Sequence, residues 1–96
     1  MFENAAYLQL RRHSKEIQYY KDDKSECNFL VKNQQEITHA IQVCWKLTPE
    51  NLQRELTGLK NAMNTTRAAN GYIITFDQED SFDGIKAVPL WKWKFE

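Results

Sequence analysis

Apolar and polar positions along the chain follow two periods. From Phe2 to Glu16, apolar residues recur at Phe2, Ala6 and Leu10, one stripe of a helix with 3.6 residues per turn. Arg11, Arg12 and His13 place positive charge at the carboxyl end of this segment, where the helix dipole favours it. A helix is expected over 2–16. The β-formers Ile17, Tyr19 and Tyr20 predict a strand over 16–21, closed by the turn DDKS. Over 26–32 the period falls to two, with Cys27, Phe29 and Val31 on one face and Asn28, Leu30 and Lys32 on the other. After the turn NQQE, residues 37–47 form a long apolar stretch that reads as a central strand. Three strands joined by short polar turns predict an antiparallel meander.

Residues 48–64 predict a second helix. Thr48 is its N-cap, Pro49 takes the first helical position with Glu50 close behind, and Leu52, Leu56, Leu59 and Met63 form its apolar stripe. Residues 71–76, introduced by Asn70 and Gly71, predict a fourth strand. A helix between strands three and four makes that pair a parallel crossover. The run DQEDSFDG reads as an acidic loop, and 85–89 as a short extra strand that stops at Pro89 before an aromatic tail. The order α-β-β-β-α-β predicts an α/β fold in a single domain over 1–96, a mixed sheet flanked by two helices.

Composition narrows the class. A chain of 96 residues that is 42% apolar and 27% charged is large enough to fold around one modest core without covalent staples. A net charge of zero removes the simplest argument for nonspecific nucleic-acid binding. The two cysteines, Cys27 and Cys44, are too few for a secreted disulfide scaffold and read as free thiols of a reducing compartment. No run approaches the ~20 apolar residues of a membrane span and no signal peptide opens the chain, so a cytoplasmic protein without a membrane partner is expected.

The segments FENAAYLQLRR, YYK followed by ECNFLV, IQVCW, RELTGLKNA, YIITF and VPLWKW cover almost the whole chain. Together with the element order, they resemble the restriction-endonuclease-like core of the PD-(D/E)XK superfamily. More narrowly, they resemble the C-terminal domain of uncharacterised prokaryotic AAA-type ATPases. The resemblance implies a site where an acid from the first helix, an Asp on strand two and a Glu-x-Lys pair on strand three hold Mg²⁺ against a phosphate. A hard cation wants anionic oxygens, and the Lys offsets developing negative charge. Carried onto this sequence, Glu3 matches the helical acid. Asn28 stands in place of the Asp, Gln42 in place of the Glu, and Cys44 in place of the Lys. Two carboxylates have become amides and the cation has become a thiol. The expectation is therefore a degenerate site without a metal, packed under the first helix. The fold would be that of a nuclease and the function that of a binding module. Its expected partner is a protein, either an ATPase domain or another copy of itself, with DNA second.

The competing expectation is a Mg²⁺-dependent DNA nuclease whose site has migrated to Glu3, Glu26 or Glu36. The resemblance also implies a motor domain upstream. Gly58, Gly71 and Gly84 form no phosphate-binding loop, so the chain reads as a truncated remnant or an excised domain.

Several residues carry a plain reading beside the sharp one. Glu3 also suits the first turn of a helix through its charge, Asn28 can serve nearby backbone groups, and Gln42 can pair with Asn28 across the strands. Cys44 reads equally as a small buried hydrophobe. A zinc site from His13, Cys27, His39 and Cys44 lacks paired spacing, and His39 is expected beside solvent. Arg11, Arg12, Lys15, Lys21 and Lys24 form either a basic patch or a solvated face. In the tail, Trp91, Trp93 and Phe95 alternate with Lys92 and Lys94. In extended form the three aromatics would line one side and the two lysines the other, with the aromatics either closing the core or offering a surface that docks a protein partner or stacks nucleic-acid bases.

Overall fold

The structure is a computed structural model and describes residues 2–12, 16–21 and 26–93, with the side chains of 2, 3, 19–21 and 26–28 outside the description. The elements are α1 (Phe2–Arg11), β1 (Ile17–Lys21), β2 (Glu26–Asn33), β3 (Glu36–Val43), α2 (Leu52–Thr66), β4 (Asn70–Thr75), β5 (Asp80–Phe82) and β6 (Ile85–Pro89). They build one six-stranded mixed sheet in the order β1-β2-β3-β4-β6-β5. The first three strands are the antiparallel meander, and β3 and β4 run parallel across the α2 crossover. An α/β fold with a mixed sheet and two helices follows directly from these pairings.

Alternation along the strands separates two cores. Leu30 and Ala40 lie with Ile73 and Ala87 against Leu56, Leu59 and Ala62 of α2. Phe29, Val31, Ile41 and Ile74 lie with Ala6 and Leu10 of α1, and Trp93 joins them. The helices therefore cover opposite faces of the sheet. Tertiary burial of each stripe stabilises these helices more than propensity does, as expected for helices of 10 and 15 residues.

Four sequence expectations are revised. Regular α2 begins at Leu52, and Thr48 closes the turn before it. The Thr48 hydroxyl accepts from the Asn51 N–H at 3.2 Å and the Asn51 Oδ1 accepts from the Thr48 N–H at 2.8 Å, a reciprocal box. Regular β3 stops at Val43 because residues 44–51 turn away toward α2. The stretch read as an acidic loop contains β5, paired antiparallel with β6. Its turn places Asp83 at φ 51° and Gly84 at φ 85°, the left-handed pair that a two-residue hairpin of this type requires and that Asp-Gly supplies cheaply. His39 is 8% exposed rather than beside solvent. Its Nδ1 lies 2.8 Å from Thr38 Oγ1 and its ring stacks on Tyr72 at 6.2 Å.

The tail is not extended within the described residues. After Pro89 the chain turns, with the Lys92 and Trp93 amides donating to the Pro89 carbonyl at 3.0 and 2.9 Å. The two tryptophans diverge as a result. Trp93 is 5% exposed and Trp91 is 77% exposed, so a common aromatic face is ruled out for this pair. Lys92 pairs with Glu79 at 2.9 Å, and Lys94 and Phe95 lie outside the described residues. Among the described residues, no helix is long and apolar enough to cross a membrane.

Candidate functional site

Strand β3 carries Ala40 and Gln42 on the face covered by α2. A buried amide needs partners, and Gln42, 6% exposed, donates from Nε2 to Glu55 Oε1 at 3.2 Å. The other oxygen of Glu55 lies 3.4 Å from Arg54 Nε, with the Glu55 side chain 12% exposed and that of Arg54 77% exposed. One carboxylate thus bridges a buried amide and a surface guanidinium.

Cys44 follows the end of β3 and stays in register with β4 through its amide, which donates to the Ile74 carbonyl at 2.9 Å. Its half-buried thiol packs against the α2-side core and donates to the Lys46 carbonyl at 3.3 Å. Asn51 Nδ2 donates to the same carbonyl at 3.0 Å and approaches Cys44 Sγ at 3.8 Å. Burial pushes the Cys44 thiol above its usual range. The negative charge of Glu55 raises it further, against smaller lowering effects from the Lys46 hydrogen bond and Arg54. The thiol is protonated at neutral pH and is a poor nucleophile. Alkylation of Cys44 by iodoacetamide is therefore expected to be slower at pH 8 than that of an exposed thiol. Glu55→Gln should shift the rate profile to lower pH, and an unchanged profile would show that the carboxylate does not act on the thiol.

The two loops beside this cluster are braced by Gln78. Its side-chain oxygen accepts from the Leu47 N–H at 2.6 Å and its amide donates to the Leu47 carbonyl at 2.9 Å, so one side chain imitates a strand neighbour. Thr75 holds Gln78 in turn, accepting from its N–H at 2.9 Å and donating to its carbonyl at 2.7 Å. The β3–α2 loop is thereby fastened to the chain that follows β4.

Of the four positions of the expected site, the structure brings Gln42 and Cys44 together under α2, not under the first helix. α1, which carries Glu3, packs on the opposite face. The correction follows from strand parity over the last part of β3: Ala40 and Gln42 face α2, whereas Ile41 and Val43 face α1. The side chains of Glu3, Glu26 and Asn28 lie outside the description. Glu36 opens β3 at the turn after β2, at the far end of the strand from Gln42. Six residues of strand span about 20 Å, so Glu36 cannot join a migrated site there.

Arg11 and Arg12 are exposed, whereas Lys15, Lys21 and Lys24 fall outside the described side chains, as do His13 and Cys27 of the zinc reading. Among the described residues, no group of three or more His, Cys, Asp or Glu side chains is placed to hold a metal ion.

Sequence reasoning missed Glu55, Asn51 and Gln78. Glu55 had a signal: it falls between Leu52, Leu56 and Leu59 on the stripe that faces the sheet, where a carboxylate needs a buried partner.

Comparison with known proteins places the chain beside an uncharacterised protein of Methanocaldococcus jannaschii, 30% identical over a gapped alignment 107 residues long that takes in 97% of this chain and 24% of the relative. The chain thus spans about a quarter of the length of the curated relative it matches. No family model matches the sequence, and no solved structure matches it.

Proposed function

We propose that this chain is a catalytically inert, nuclease-like accessory module that binds a protein, either an AAA-type ATPase domain or another copy of itself, with no metal cofactor and with DNA as a secondary ligand. The observation that carries the reading is the state of the two strand-three positions. Gln42 and Cys44 stand where the resemblance assigns Glu and Lys, and both are tied into hydrogen bonds beneath α2 with a single carboxylate between them. An amide brings no net charge to a hard cation, and a protonated thiol brings none to a phosphate. The meander followed by a parallel pair across α2 supports the nuclease-like part of the reading.

A second reading, a metal-dependent DNA nuclease with a migrated site, draws on Glu55, whose carboxylate reaches the space beside Gln42 from the helix. The two separate on one experiment, in which the protein is titrated with Mg²⁺ or Mn²⁺ and incubated with single- and double-stranded DNA. The inert module gives intact DNA and unshifted amide signals at Gln42, Cys44 and Glu55. Cleavage that disappears in Glu55→Gln, with those signals moving below millimolar metal, would install the second reading instead.

A further inference from the structure

The parallel strands β3, β4 and β6 end at a common level, with Val43 opposite Ile74 and Thr75 opposite Pro89. Beyond that level the Phe76 amide donates to the Trp45 carbonyl at 3.1 Å and the Leu90 amide to the Thr75 carbonyl at 2.9 Å. Three large aromatics emerge along this rim: Trp45 at 55%, Phe76 at 49% and Trp91 at 77% exposure. Trp45 and Phe76 are stacked, with ring centroids 4.3 Å apart and planes at 14°. Open α/β sheets bind ligands at the carboxyl ends of their strands.

We propose that this rim docks a short, extended, proline-bearing basic peptide of a partner protein. This rests on the reading of the chain as a protein-binding module and names the chemistry of what it binds. Size argues first. A buried aromatic covers about 150–250 Å², so the three leave roughly 300–450 Å² open. A stable dimer needs about 800 Å² from each partner. The rim therefore suits a peptide segment rather than a second copy.

Charge argues next. The loops carrying the rim and the start of β5 hold the exposed carboxylates Glu50, Asp77, Glu79 and Asp80 against the cations Lys46 and Lys92. Lys92 is engaged by Glu79, and Arg54 by Glu55. The excess of carboxylates repels phosphate and attracts Lys or Arg side chains. Preorganisation argues last. The stacked pair is fixed by a backbone hydrogen bond, and its loops are joined by Gln78. A proline-rich segment is already extended, so docking orders little on either side.

The test uses a fluorescein-labelled peptide of Pro-Pro-Lys triplets, a Pro-Pro-Glu counterpart and a labelled oligothymidine. The basic peptide is expected to bind saturably, to move the indole N–H signals of Trp45 and Trp91 while leaving Trp93 in place, and to weaken with added salt. Trp45→Ala and Phe76→Ala should each weaken it on the order of tenfold. Both positions are exposed, and wild-type signal mapping gives a readout independent of the variants. Absence of saturation, equal binding of the acidic peptide, preferential binding of the oligonucleotide, or rim signals that move with protein concentration alone would each overturn the proposal. The inert-module reading would still stand or fall separately on the DNA cleavage assay.

Discussion

Trp93→Ala lowers the free energy of unfolding by about 3–5 kcal/mol, whereas Trp91→Ala changes it by less than about 0.5 kcal/mol. The two tryptophans lie two residues apart in the same turn and differ almost entirely in surroundings. Trp93 is 5% exposed and packs with Ala6, Leu10, Phe29, Val31, Ile41 and Ile74. Its carbonyl accepts from Gln9 Nε2 at 3.0 Å, so the residue also ties the chain after β6 to α1. Removing the indole leaves a cavity between helix and sheet that a small domain cannot close. A domain of this size has about 5–15 kcal/mol in all, so the loss is a large share of its stability. The melting temperature should fall by roughly 15 °C or more. Trp91, 77% exposed, gives up little when shortened. Urea unfolding of the two variants is the measurement, and similar midpoints would contradict the turn that separates them.

Gln42→Glu, the change that restores a carboxylate to strand three, destabilises the fold at pH 7 by about 2–4 kcal/mol. The amide of Gln42 donates to Glu55 Oε1 at 3.2 Å in a site with 6% exposure at Gln42. A carboxylate there removes the donor and sets two like charges against each other. The pair of carboxyls at positions 42 and 55 then shares a proton, and one of them titrates above the usual value of about 4.3. The folded chain binds more protons than the unfolded chain in that window. Stability therefore falls as pH rises through about 4.3 and levels off above the raised pKa. Adding Glu55→Gln to the variant restores a donor–acceptor pair with the roles reversed and should recover most of the loss. Urea unfolding between pH 4 and 8 reads all three proteins. A variant whose deficit is the same at every pH would show that charge is not its cause. Stabilisation of Gln42→Glu by millimolar Mg²⁺, absent from wild type, would mark the same spot as able to hold a cation once charged.

The parts of the fold that were legible along the chain are those written in local periods. The stripe Leu52, Leu56, Leu59 and Met63 and the alternation of 26–32 are each recorded within a dozen residues and each becomes an element, and the polar run after Lys32 becomes the turn at 34–35; the turn expected at DDKS lies outside the described residues. Short signals lost to stronger ones. Asp83-Gly84 marked a hairpin, yet the surrounding acidic run read as loop, because a three-residue strand such as β5 has too few positions to show a period. Pro89 marked a strand end, but the turn after it, which sends Trp91 and Trp93 to different environments, is set by backbone hydrogen bonds to Pro89 and Leu90.

At the candidate site the sequence by itself determined which groups are present: an amide at 42, a thiol at 44 and a lone acid at 55 within an apolar stripe. It also determined that Gln42 and Cys44 share a face, since strand parity is a property of the backbone. Only the tertiary structure decided which helix covers that face. Local periodicity says that a helix has an apolar side but not which side of the sheet that helix takes. That choice pairs Gln42 with Glu55, carries the helix bearing Glu3 to the opposite face and aligns Trp45 with Phe76, because residues distant along the chain meet only once the β3–α2–β4 crossover has closed.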